Sequence, residues 1–231
     1  MHLLKGGSWT AGVVALWLAA GSINGYGANV SFTGTFAQDA DTRFFQLNLA
    51  SPSTVTLLTY SYGGGINSAG STIARGGFEP VLGLFSGLGT LLRTSEPNGT
   101  CPPQTADSVT GLCVDAYIQQ NLSAGVYFAS LTEFFNVPVG PMLSNGFLQA
   151  GTGNFTGPTC SVTNGSFLDE TCNQRANRFA LDILGVTSAT AISGTPTAIP
   201  EPSTLGLIAL PLVYYAARLR KRRLHVGESN K

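Results

Sequence analysis

The chain reads as an all-β protein, an antiparallel β-sandwich of jelly-roll type set between an N-terminal signal helix and a C-terminal hydrophobic helix. Three observations carry that expectation. Short runs of alternating apolar and polar residues recur between Ala28 and Ala191. Gly, Ser, Thr and Asn punctuate them as turns, and no leucine-rich helical periodicity of useful length intervenes. About six to nine strands with long Gly-rich connections suit two packed antiparallel sheets.

Lys5 and the amino terminus supply positive charge ahead of an apolar h-region, Ala11 to Ala20 ("AGVVALWLAA"). Gly25 and Gly27 put small residues at the two positions a signal peptidase inspects, so residues 1–27 are expected to be a cleaved signal peptide, cut after Gly27 or Ala28. An uncleaved anchor is the alternative, but the run is short and broken by Gly21 and Asn24.

The sandwich is expected over residues 28–186. Its candidate strands are Val30 to Phe36, Thr42 to Leu49, Ser53 to Tyr60, Val81 to Phe85, Thr90 to Thr94, Val114 to Gln120, Val126 to Phe134 and Arg178 to Leu184. Phe45, Leu47 and Leu49 share one face of the second strand, as Val55, Leu57 and Thr59 do in the third. The Ser51-Pro52 turn between them predicts a hairpin. Loops 61–77 and 136–174 are long enough to expect function or mobility in them, and 187–199 ("TSATAISGTPTAI") has the small, polar composition of a flexible linker.

Charge and histidine content exclude whole classes of function. Between Ala28 and Ile199 there are five arginines, no lysine and ten carboxylates, a net charge of −5, which gives a phosphate backbone nothing to bind and argues against nucleic acid. The two histidines, His2 and His225, both lie in the terminal segments. The body therefore lacks the usual general base for Ser-His-Asp or Cys-His chemistry and the usual ligand of zinc. Carboxylate-only glycosidase chemistry survives that test, although no pair is singled out.

Cys101, Cys113, Cys160 and Cys172 form two Cys-x11-Cys segments of loop composition. In an exported chain they are expected to be disulfides. Three pairings are possible, of which the two local ones, Cys101 with Cys113 and Cys160 with Cys172, are favoured over a four-thiolate metal site. Each local bridge is worth roughly 3 kcal/mol in the chain-entropy model.

Asp39 and Asp41 sit two apart before a strand, a spacing that can aim two carboxylates at calcium, with Glu79 and Asp115 as further ligands from distant loops. Read conservatively, these residues form turns. Tyr60, Tyr62, Tyr127, Phe134 and Phe135 could make a sugar-stacking platform, though strand aromatics more often pack the core. Asn98, Asn154 and Asn164 occur in Asn-x-Ser/Thr sequences and read as turn asparagines, while Arg75 and Arg93 are candidates for acidic sugars or for surface ion pairs.

The segment 200–231 opens with Pro200-Glu201-Pro202 and continues with an apolar run from Leu205 to Ala217. That run is roughly 13 residues, short of the about 20 needed to span a bilayer comfortably. Arg218, Arg220, Lys221, Arg222 and Arg223 follow, a block that stays on the cytoplasmic side. In this order the three parts resemble the PEP-CTERM sorting signal of exported proteins in Gram-negative, exopolysaccharide-producing bacteria. The resemblance implies recognition by an exosortase, which removes the tail after a transient stay in the inner membrane, and release to the cell surface or beyond.

The body is similar to secreted PEP-CTERM proteins with a jelly-roll-like domain and, more distantly, to pre-peptidase C-terminal sandwich domains. That similarity lies in "GTFAQDADTRFFQLNL" from Gly34, "STVTLLTYSY" from Ser53, "GGFEPVLGLF" from Gly76, "LSAGVYFASLTEFFN" from Leu122, "NGFLQAGTGNFTG" from Asn145 and "RFALDI" from Arg178. The family's Gly-Phe-Asp-Pro reads Gly77-Phe78-Glu79-Pro80 here, and its Asp-Asp-Gly turn is replaced by Glu96-Pro97-Asn98-Gly99. The resemblance implies a non-enzymatic surface or matrix protein, structural or adhesive, associated with exopolysaccharide and without a required cofactor. A carbohydrate-binding module, a membrane-tethered envelope protein and a carboxylate glycosidase are the rival readings.

Overall fold

The computed structural model describes residues 27–95, 101, 103 and 105–197. The segment expected to be a signal peptide, up to Tyr26, and the expected sorting segment from Pro200 lie outside the described residues.

Eleven strands are present among the described residues: β1 (Ala28–Thr35), β2 (Arg43–Leu49), β3 (Ser53–Thr59), β4 (Gly65–Ile66), β5 (Thr72–Ile73), β6 (Pro80–Ser86), β7 (Leu91–Ser95), β8 (Tyr117–Leu122), β9 (Gly125–Glu133), β10 (Arg178–Val186) and β11 (Ser188–Ile192). One sheet has the order β1-β10-β3-β8 and the other β11-β2-β9-β6-β7, with β4 and β5 forming a small ribbon. Every pairing between these strands is antiparallel. The long strands pair as β1 with β10, β2 with β9, β3 with β8 and β6 with β7, the winding of a jelly roll.

Alternation along the strands builds the core between the sheets. Phe45, Leu47, Leu49, Leu82, Leu84, Ala129 and Leu131 from one sheet meet Val55, Leu57, Ile118, Leu181 and Ile183 from the other. The outer face of the β2-containing sheet is covered as well. Phe44, Phe85 and Phe128 there pack under Leu143 and Phe147 of the 136–150 connection. The β3–β8 pair instead carries polar partners on its other face, such as Thr54 Oγ1 donating to Asn121 Oδ1 at 2.7 Å.

Two expectations are corrected. β2 and β3 are not a hairpin: they belong to opposite sheets, and the chain turns the corner at 50–52. Alternation tells which face of a strand is apolar but not its neighbour, so Phe45 and Leu57 meet across the core instead of along a ladder. The linker, in turn, begins later than 187. Ser188–Ile192 is an edge strand on β2, because Ala189 packs against the main core and Ile192 against the outer cluster. Near the end of β10, where its register with β1 shifts, Gly185 has φ +76°, and a Cβ there would run into the backbone of Thr54.

Hydrogen–deuterium exchange of the intact chain is expected to be slow across 188–192 and fast across 193–197. Uniformly fast exchange would return the whole segment to a linker.

Candidate functional site

One end of the sandwich is closed by the long connections, and most of the buried charge lies there. Asp39, Glu79, Asp107, Asp115, Glu133, Asp169 and Arg175 are each at most 7% exposed. A buried carboxylate needs donors or a cation, so the partners of each define what this end can do.

Asp115 precedes β8 and is met by four donors from the end of β3 and the turn after it. Thr59 Oγ1 (2.8 Å), Ser61 N (2.6 Å) and Tyr62 N (3.2 Å) reach Oδ1, and Gly63 N (2.8 Å) reaches Oδ2. Burial still raises its pKa against the pull of these bonds. Asp115 is thereby the anchor of the 61–77 loop.

Asp107 sits in the loop of the first disulfide and takes Arg75 bidentately, Nε and Nη2 both at 2.8 Å. Val109 N and Thr110 N donate to it at 2.9 Å, and Arg175 Nη2 approaches at 3.4 Å. Burial opposes ionisation, but the Arg75 guanidinium and these backbone donors hold the carboxyl well below the usual range. Arg175 lies over the Tyr62 ring, 3.5 Å from its centroid, and donates to Gly77 O and Tyr62 O. The Tyr62 hydroxyl donates to Asp169 Oδ2 at 3.0 Å. Burial pushes Tyr62 up to about 12, helped by that bond and opposed by Arg175.

Asp39 accepts from Thr156 N, Thr156 Oγ1 and Phe167 N, tying the start of β2 to the segment that bears Cys160. Asp169 Oδ1 accepts from Thr171 N, Thr171 Oγ1 and Asn173 N, organising the turn across Cys172. Both disulfides have the predicted local pairing, with Cα–Cα distances of 5.7 Å for Cys101–Cys113 and 5.6 Å for Cys160–Cys172. The second borders a cavity of about 160 Å³ whose walls include Phe135, Thr156, Leu168 and Glu170.

Glu79 and Glu133 are treated differently. Glu79 Oε2 accepts only a long bond, 3.3 Å, from Glu170 N. Glu79 Oε1 and both oxygens of Glu133 have no partner among the described residues. Burial pushes Glu79 up to about 7 and Glu133 up to about 10, with Asp39 and Glu79 adding repulsion at Glu133.

The predicted calcium set of Asp39, Asp41, Glu79 and Asp115 is therefore not one site. Among the described residues, no three Asp, Glu, His or Cys side chains converge as a metal group. Asp41 caps its own turn, accepting from Ala37 N at 2.7 Å, while the Asp39 and Asp115 carboxylates are occupied by loop donors 117 to 128 and 52 to 56 residues away in sequence. The aromatic platform is corrected too, since Tyr62 is 1% exposed beneath Arg175 and Tyr127 packs against the main core. Phe135 alone of that group is well exposed, at 46%. Asn154 Oδ1 accepts from Asp39 N, and Asn164 has φ +60°, so both serve turns; Asn98 lies outside the described residues. Arg75 is the ion-pair partner of Asp107, and Arg93 is exposed on β7.

Pro200, Glu201, Pro202, Arg218, Arg220, Lys221, Arg222 and Arg223 all lie outside the described residues. Among the described residues, no helix is long and apolar enough to cross a membrane. Glu133, Asp107, Asp169 and Arg175 escaped sequence reading. Glu133 had a legible signal, because it continues the inward series Tyr127, Ala129, Leu131 and so places a carboxylate at a core position. No protein-family model and no curated protein matches the chain.

Asp115→Ala is expected to lower stability by about 3 to 5 kcal/mol, since three backbone N–H groups and Thr59 lose their acceptor. Urea unfolding checks this, with Arg93→Gln, exposed on β7, as the control. A second expectation concerns pH in buffer free of divalent cations. Both glutamates titrate higher folded than unfolded, so their contribution is full below about 4.5 and is lost as pH rises through about 7 for Glu79 and about 10 for Glu133. Thermal unfolding across pH 5 to 10 should show this decline, and Glu133→Gln should flatten its upper part.

Proposed function

We propose that this is an exported, exosortase-processed protein of the cell surface or extracellular matrix, with a non-catalytic, structural or adhesive role in association with exopolysaccharide. The observation that carries this reading is the order Pro200-Glu201-Pro202, apolar run 205–217, basic cluster 218–223, placed after a β domain with two disulfides. A disulfide framework suits an oxidising compartment outside the cytoplasm. An apolar run this short suits an address that is removed better than a lasting span.

The domain described above suits the same role. Asp39, Asp107, Asp115 and Asp169 are engaged by loop backbone, so the acidic end of the sandwich supports rigid, disulfide-tied connections. Delivery then follows from the terminal segments: signal peptidase releases the front of the chain, the basic cluster holds the rear on the cytoplasmic side, and exosortase cuts near the Pro-Glu-Pro triplet.

Intact mass of the mature protein, made in a host that carries an exosortase, tests this reading. The wild type is expected to lose the residues beyond the triplet, and Glu201→Ala is expected to keep them. Retention of the basic tail in both would make the segment a plain anchor and the protein a membrane-tethered one.

A further inference from the structure

The cavity beside the second disulfide stands outside the anchoring scheme of the buried aspartates. Its volume of about 160 Å³ is close to the roughly 150 Å³ that encloses one six-membered ring. Leu168, Thr159 and the Cys160–Cys172 bridge give it mostly apolar walls, and exposed Phe135 and Glu170 stand at its rim. Apolar walls with a few placed polar groups are the usual form of a small-ligand pocket.

The backbone presents Phe135 to that cavity. Its φ is +69°, a left-handed conformation that a bulky side chain adopts only when its surroundings impose it. Phe134 N donates to Glu79 O on one side and Asn136 N to Glu133 O on the other, while the buried Asn136 side chain is tied to Ala40 O and Gln149 N. The Phe134 ring backs the Phe135 ring, with centroids 4.1 Å apart. An aromatic face fixed in this way needs little further ordering when a ligand covers it.

Charge narrows the ligand. The walls contain two acids, Asp169 and Glu170, and no basic residue. Both Asp169 oxygens are taken, by Thr171 and Asn173 and by the Tyr62 hydroxyl, whereas the Glu170 carboxylate enters no ion pair among the described residues. Glu79 adds charge nearby, accepting from Glu170 N at 3.3 Å, and residues 28–199 carry a net charge of −5. An anionic ligand is repelled here and a cationic one attracted. A ring with an apolar face and a positive substituent matches the aromatic and the carboxylate together.

We propose that this cavity binds a single hexosamine unit with a free ammonium group, the apolar face of its ring against Phe135 and the ammonium on Glu170. That sugar chemistry rests on the exopolysaccharide association proposed above and specifies its ligand. Because the cavity admits one ring, a polysaccharide is gripped at one residue and not along its length.

The full chain, kept in an uncharged detergent without a sugar headgroup, is titrated by calorimetry at pH 6 with a glucosamine oligosaccharide. Binding is expected, and acetylating the amino groups of the same oligosaccharide should weaken it about tenfold or more. Phe135→Ala and Glu170→Gln should each weaken it by about tenfold, with far-UV circular dichroism showing that they remain folded. Leu92→Ala, an exposed apolar change on β7, should bind as the wild type does. Added salt should weaken the wild type more than Glu170→Gln. Equal affinity for the acetylated oligosaccharide would overturn the proposal by removing the ammonium from recognition, and no binding of either would overturn the sugar site outright. Unchanged binding in either folded variant would overturn it by placing the sugar elsewhere. Butylammonium bound as tightly as the sugar would do so too, making the cavity a pocket for a lysine-like chain. Failure of exosortase processing shows separately, since intact mass reads the tail and the titration reads the cavity.

Discussion

A carboxylate taken out of water must be met by donors, and the long connections of this protein are shaped around that requirement. Asp115 gathers a hydroxyl and three consecutive backbone amides from 61–63, which is why a glycine-rich loop leaves β3 in a defined direction. Asp39 performs the same service for the segment around Thr156, and Asp169 for the turn across Cys172. Connections with few apolar residues cannot hold themselves by packing, so hydrogen bonds to charged anchors do so instead.

The Asp107 network extends this logic to basic residues. Arg75 and Arg175 come from loops distant in sequence, and both reach the same carboxylate. Arg175 also covers Tyr62 and caps the carbonyls of Gly77 and Tyr62. Buried ion pairs add little net stability when compared with an apolar replacement, but removing one partner is costly. Their effect here is geometric: loop 61–77, the first disulfide loop and the approach to β10 are held in one arrangement.

The two disulfides act on the same end from a different direction. Each closes a short loop that has little core of its own, lowering the entropy of the unfolded chain. Glu79 and Glu133 stand apart from this scheme, for they share its burial but not its donors. Glu79 Oε1 and both oxygens of Glu133 are the part of the closed end that the described backbone leaves unanswered.

Strand periodicity made the all-β class, the two-layer core and the positions of eight strands legible, because a period of two marks an apolar face whatever the strand is paired with. Cysteine spacing made the disulfide loops legible for a similarly local reason. The terminal segments proposed as signals are linear patterns, so sequence order alone expresses them. Partnership was decided only in three dimensions. The Ser51-Pro52 corner sends β2 and β3 into different sheets, and the small residues of 188–192 become a strand because β2 offers them an edge. The carboxylates show the same division. Sequence proximity suggested Asp39 with Asp41, whereas folding gave Asp39 to Thr156 and Phe167 and buried Glu133 at the end of β9. Which groups meet a buried charge depends on contacts between residues far apart in the chain, and no local pattern encodes those.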